Sequence, residues 1–195
     1  MGASSTSIPV STLEAPRDVV VIGAGFSGLY LIHKLRGAGR DVTVLEAGSD
    51  VGGTWYWNRY PGARFDSESY TYGYSFSREL LDEWHWKERF SAQPENLRYL
   101  NYVTDKFDLR KYMQFNCKVG QALFDEADHL WRLKLDDGRE LTCRFVILAI
   151  GLLSTPTLPR LARGARSTHS TGRTSRSNWP ARRSPSSAPA RPPFR

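Results

Sequence analysis

The spacing of apolar residues changes repeatedly along this chain, and each change predicts an element. Arg17 to Ile22 is a nearly continuous apolar run, the pattern of a strand buried on both faces of a parallel sheet. A glycine-rich turn follows at 23–28. Leu29, Ile32, His33 and Leu35 then recur at helical spacing until Gly37 and Gly39 stop the helix. Asp41 to Leu45 predicts a second strand, closed by Glu46. Strand, helix and strand fill about 30 residues, the size of one βαβ unit.

Gly48 to Phe76 has no clean period and is rich in Gly, Tyr and Trp. A long irregular stretch inside a compact domain points to function. Ser77 to Phe90 predicts a helix with Leu80, Leu81 and Trp84 on one side. Ser91 is expected to cap the next helix, with Pro94 and Glu95 in its first turn and a stripe of Leu97, Leu100, Val103 or Thr104, and Phe107. Met113 to Leu123, Trp131 to Leu135 and Glu140 to Ile150 read as strands, with Asp137-Gly138 as a hairpin turn between the last two. The stretch from Cys143 to Ile150 is almost wholly apolar, which predicts a central strand. The fold class expected is α/β: a three-layer, Rossmann-like domain with a small antiparallel β element near 113–142.

Beyond Pro159 the pattern ends. Arg, Ser, Ala, Pro, Thr and Gly dominate, and such a segment cannot bury enough surface to offset its chain entropy. The predicted organisation is a disordered leader over 1–16, one domain over 17–159, and a disordered tail over 160–195. Charge sharpens the boundary. The formal net charge is +7, yet residues 160–195 hold nine Arg and no Lys, Asp or Glu, leaving 18 basic and 20 acidic groups in 1–159. The body, at a net −2, gives no reason to expect nucleic acid or anionic lipid. With no apolar run of about 18 residues and no basic, apolar leader, neither a membrane span nor a secretory signal is expected, and the default is a soluble cytoplasmic protein. Cys117 and Cys143 have no paired spacing and read as small apolar residues in strands. The four His are scattered, so no metal site is expected.

The chemistry sits in the glycine turn and the irregular stretch. Gly23, Gly25 and Gly28 form G-x-G-x-x-G between strand and helix: Gly23 for the tight turn, Gly25 for close approach of a pyrophosphate, Gly28 for helix–strand packing. Phe26 and Ser27 lie inside this turn, where free amides and the positive end of the helix favour phosphate. Glu46 can accept hydrogen bonds from both ribose hydroxyls and would repel a 2′-phosphate, so FAD or NAD is expected rather than NADP. The alternative is a glycine turn that serves packing alone.

Gly52-Gly53-Thr54-Trp55-Tyr56-Trp57-Asn58-Arg59-Tyr60-Pro61-Gly62-Ala63-Arg64-Phe65-Asp66 resembles, at every fixed position, the fingerprint [AG]-G-x-W-x(4)-[FY]-P-[GM]-x(3)-D of Baeyer–Villiger monooxygenases. The resemblance covers about residues 17–159. It implies FAD as cofactor, NADPH as co-substrate of the full-length enzymes, and O₂-dependent oxygenation of a small-molecule ketone to an ester or lactone. It implies flavin or nucleotide contacts from Gly53, Thr54, Trp55, Trp57, Tyr72 and Ala47, a nicotinamide-side contact from Arg64, and a catalytic role for Asp66 beside the flavin. Val119 matches the position whose backbone touches adenine. Ala149 and Gly151 match the second passage of the chain past FAD, where the family has Ala-Thr-Gly and this sequence has Ile150 in the middle. The irregular loop has physical properties suited to that role: two glycines admit close backbone approach, and flat aromatic walls exclude water.

Two further family features are not found in the sequence: the F-x-G-x(3)-H-x(3)-W-[PD] fingerprint and a second nucleotide-binding domain with its arginine. Trp179-Pro180 echoes the fingerprint's end, but its spacing to His169 is wrong. Residues 181–192, read with the bases shifted by one, allow a strand running into a second glycine fingerprint, so the tail is expected to be an out-of-frame product. The alternative for the tail is an Arg-rich nucleic-acid arm. For the chain as a whole the alternatives are a non-catalytic flavin-binding fragment or pseudogene product, and an N-hydroxylating flavin monooxygenase. Oligomeric state is not readable.

Overall fold

The computed structural model describes residues 15–155. The expectations for the leader before residue 15 and for the tail beyond 155, its out-of-frame reading included, lie outside the described residues.

Among these residues six strands form one sheet: β1 (Arg17–Ile22), β2 (Val42–Leu45), β3 (Met113–Gln114), β4 (Val119–Asp125), β5 (Leu130–Leu135) and β6 (Glu140–Leu148). Their order is β3-β2-β1-β6-β5-β4. The β1–β2, β1–β6 and β2–β3 pairs are parallel, and the β4–β5 and β5–β6 pairs are antiparallel. The apolar run of β1 is explained by its place between β2 and β6. Val19 and Val21 enter one core, while Val20 enters a second core on the other face. Side chains of a strand alternate between faces, so a strand covered on both must be apolar throughout.

Among the described residues five α-helices accompany the sheet: α1 (Phe26–Gly37), α2 (Thr54–Trp57), α3 (Ser69–Tyr72), α4 (Arg78–Glu83) and α5 (Gln93–Lys106). Leu29 and Ile32 of α1, Leu80 of α4, and Tyr99, Leu100 and Val103 of α5 pack with Val19, Val21, Val42 and Val44 in the first core. The second core joins Val20 and Leu45 to Cys117, Leu133, Leu135 and Cys143. Two residues before β4 begins, the Cys117 amide donates to Glu46 O, just past the end of β2 (2.8 Å). Leu133 and Leu135 of β5 thus share one core with Val20 of β1 and Leu45 of β2. Asp137-Gly138 turns between β5 and β6, with Gly138 at φ +88°.

Three expectations are corrected, and the central place of β6 holds with one qualification. The helix over 77–90 is only six residues long. Trp84 has extended backbone, the chain beyond it is irregular with bends at 87–90, and Trp84 and Trp86 both pack on Tyr99, at 5.1 and 5.0 Å between ring centroids. Ser91 does not cap α5: the N-cap is Ala92, and the Ser91 hydroxyl donates instead to Asn96 Oδ1. The strand over 113–123 is split into β3 and β4 by a turn, which places Cys117 in a connection rather than a strand. β6 is central by pairing, but Phe145 and Leu148 remain 64% and 65% exposed, because no described element covers its C-terminal half.

Candidate cofactor-binding site

The turn after β1 is shaped by contacts that leave no room for side chains. Gly23 has φ +107°, and a Cβ on it would stand 2.5 Å from Ala149 O. A Cβ on Gly28 would stand 1.9 Å from Gly23 O, so α1 can start this close to β1 only with glycine there. The Leu29 amide is bonded to Gly25 O (3.0 Å), which leaves the amides of Phe26, Ser27 and Gly28 ahead of the first intrahelical bond. These donors and the helix dipole define an anion-favouring end.

The double glycine at 52–53 packs directly on this turn. Gly53 has φ +51°, and a Cβ on it would lie 2.7 Å from Gly25 Cα. The Gly52 amide donates to Ala24 O (3.0 Å). A Cβ on Gly25, where close approach of a pyrophosphate is expected, would also meet the Gly53 backbone, at 3.2 Å. The two glycine motifs are thus one backbone-to-backbone unit, and α2 carries Trp55 and Trp57 away from it.

Glu46 is buried at the end of β2, and its two carboxylate oxygens accept from the Ala24 amide (2.6 Å) and the Gly48 amide (2.7 Å). The expected ribose acceptor therefore also closes the glycine turn. Each oxygen retains a second acceptor site.

An aromatic wall stands behind the turn. The Trp55 indole donates to the Tyr72 hydroxyl (2.8 Å), Phe65 stacks on Tyr72 with centroids 3.7 Å apart, and Phe26 lies 4.3 Å from Tyr72. Burial pushes the Tyr72 hydroxyl above its ordinary value, an effect the Trp55 indole opposes by donating to it. The Gln93 amide side chain donates to Trp55 O, tying α2 to the start of α5.

These parts enclose a cleft of about 460 Å³. Gly23, Gly25, Phe26, Ser27, Glu46, Ala47, Gly53, Thr54, Trp55, Trp57, Tyr72, Val119, Ala149 and Gly151 all line it. Of the predicted residues, three stand outside. Gly28 acts one layer back, by packing. Arg64 is drawn to Glu88 and to Phe90 O. Asp66 is exposed, one residue past Phe65, and does not line the cleft. The sequence reading missed Cys117, Lys118, Ser154 and Thr155, which also line it. No residue spacing marks them, because the turn after β3 and the exit of β6 bring them there. Among the described residues no cluster of His, Cys, Asp or Glu could hold a metal ion.

The fold and the cleft define a Rossmann-like dinucleotide-binding domain, and residues 21–84 match the family model for an NAD(P)-binding Rossmann-like domain. The chain is 51% identical over 142 residues to the 2-oxo-Δ3-4,5,5-trimethylcyclopentenylacetyl-CoA monooxygenase of Pseudomonas putida, covering 73% of this chain and 26% of that one. It is 49% identical over 150 residues to a Baeyer–Villiger monooxygenase of Pseudooceanicola batsensis, covering 76% and 28%. A solved steroid monooxygenase bound to NADP superposes with a TM-score of 0.72 at 50% identity, covering 74% of this chain and 28% of that one. Over this stretch the chain is similar to Baeyer–Villiger monooxygenases, and it spans about a quarter of the length of the relatives it matches.

Proposed function

We propose that this chain binds FAD and forms the flavin-binding part of an NADPH- and O₂-dependent monooxygenase that converts ketones to esters or lactones. The observation that carries the reading is the interlock of Gly25 with Gly53, which puts an anion-favouring helix start and a Trp/Tyr wall into one cleft. The residues fit the cofactor. The amides of Phe26 and Ser27 suit a pyrophosphate, the free acceptor sites of Glu46 suit ribose hydroxyls, and Val119 and Cys117, whose amide donates to Glu46 O, line the same cleft. Trp55, Trp57 and Tyr72 suit a flat tricyclic ring.

When bound, FAD supplies the redox and oxygen chemistry. The chain's own part is to hold it, orient it and keep water off one side. The Trp55–Tyr72 hydrogen bond fixes the angle of that wall, and the raised Tyr72 hydroxyl stays protonated and neutral at physiological pH. Asp66 is exposed and does not line the cleft, so its catalytic role beside the flavin rests on the resemblance alone. The ketone and the cytoplasmic location belong to the same proposal; among the described residues no helix is long and apolar enough to cross a membrane.

Purification followed by flavin extraction tests the reading. FAD is expected to copurify or to bind on titration, and FMN is expected to be refused, because the turn and Glu46 address the adenosine diphosphate half. A chain that takes up neither, or both equally, overturns it. Ketone-dependent NADPH oxidation by the FAD-loaded chain is the readout for the activity itself.

A further inference from the structure

Ser91 and Asn96 are both fully buried polar residues, yet neither lines the cleft and neither caps a helix. The Ser91 hydroxyl donates to Asn96 Oδ1, and Asn96 Nδ2 donates back to Ser91 O (3.3 Å). A reciprocal side-chain knot of this kind costs desolvation unless every member is satisfied. Its burial asks what it holds.

The answer lies on the backbone of Ser91. Its carbonyl also accepts from the Phe65 amide (2.9 Å), and two residues on, the Gln93 amide donates to Ala63 O (2.9 Å). Arg64 and Ala92 pair between them as an antiparallel bridge. Residues 91–93 are therefore a splint on residues 63–65, the last turn of the loop that began at the double glycine. Phe65 leaves that splint to stack on Tyr72 at 3.7 Å, and Tyr72 holds the Trp55 indole. The knot, the splint, Phe65, Tyr72 and Trp55 are joined without a gap, and the last two line the cleft.

We infer that the Ser91–Asn96 pair positions the aromatic wall of the flavin cleft, by fixing where residues 63–65 meet the start of α5. The pair are positioning residues: they touch no ligand. This rests on the FAD reading above and adds to it the device that sets the angle of the wall.

The test uses Ser91→Ala, Asn96→Ala and the double variant, with Leu133→Ala in the second core as a control for general destabilisation. Two measurements separate the inference from the reading beneath it. Hydrogen exchange on the chain without ligand reports the Phe65 amide directly. Exchange over residues 63–66 is expected to speed up in both single variants and to stay at the wild-type rate in Leu133→Ala. FAD titration then reports the cleft. Each single variant is expected to bind FAD about tenfold more weakly, with an altered visible circular dichroism band of the bound flavin, and the double variant is expected to cost no more than either single, as for residues that act as a unit. Wild-type exchange at 63–66 in Ser91→Ala and Asn96→Ala overturns the inference, as does wild-type FAD affinity in those variants. A wild-type chain that takes no FAD overturns the functional reading and leaves the exchange comparison to decide the splint.

Discussion

At Gly53 a methyl group would sit 2.7 Å from Gly25 Cα, on a backbone already at φ +51°. Backbone cannot yield as a flexible side chain can, so Gly53→Ala is expected to lower the unfolding free energy by about 1–3 kcal/mol from conformational strain alone. FAD uptake should fall with it. Urea unfolding gives the first quantity and flavin titration the second; an unchanged midpoint would show that the loop is free to move off the turn. Glu46 offers a sharper single-atom change. Its two oxygens accept from two amides, and Glu46→Gln places an amino group against one of those donors. The lost charge-assisted bond is expected to cost about 1.5–3 kcal/mol in the same unfolding assay. A stability within error of wild type would mean that the carboxylate is not needed to close the turn.

At the scale of elements, α1 carries a pH dependence. His33 stacks on Phe76 at 4.4 Å and lies 4.7 Å from Phe107. Burial, and secondarily the Lys34 charge, push its pKa below the ordinary value of 6.5. Between that lowered value and 6.5 the unfolded chain binds more protons than the folded one, so stability falls as pH drops through this window. Above the ordinary value the contribution is fully present. Unfolding measured at about pH 7.5 and about pH 5.5, on either side of the ordinary histidine range, should show a loss that is smaller in His33→Phe; equal losses in the two proteins would remove His33 as the cause.

The same scale shows what the sequence makes legible. The βαβ unit, the Asp137-Gly138 hairpin and α5 can all be read from it, because each has a local cause: an apolar run, a turn dipeptide, a 3.6 period. The 77–90 segment misleads because Leu80, Leu81 and Trp84 satisfy a helical stripe. Trp84 and Trp86 recur at a period of two, the spacing of an extended chain, and that signal is present in the sequence. For the site, fourteen of the predicted residues line one cleft. Asp66 and Arg64 do not: Glu88 and Phe90 O hold the Arg64 guanidinium, and Asp66 is exposed one residue past Phe65. The Gly25–Gly53 contact is invisible for a different reason: two glycines touching across the fold leave no pattern at either position.

For the whole molecule the distribution of apolar surface matters most. Phe145, Leu148, Ile150, Leu152 and Leu153 are all exposed around the C-terminal half of β6 and its exit. A concentration of this kind is expected to drive self-association. Phe145→Ser with Leu148→Ser should shift the sedimentation profile toward a smaller species at the same protein concentration. Because neither side chain is buried, urea unfolding should move by less than about 0.5 kcal/mol. A sedimentation profile identical to wild type would show that this surface is not adhesive.

The glycine-to-glycine contact also limits how this site could be transplanted. Moving the tryptophan loop onto another nucleotide-binding scaffold would push the loop outward wherever the host turn has an alanine at the place of Gly25, since a Cβ there would stand 3.2 Å from Gly53 Cα. A graft that brings this glycine turn along with the loop keeps the contact intact, so the two segments are best moved as a pair.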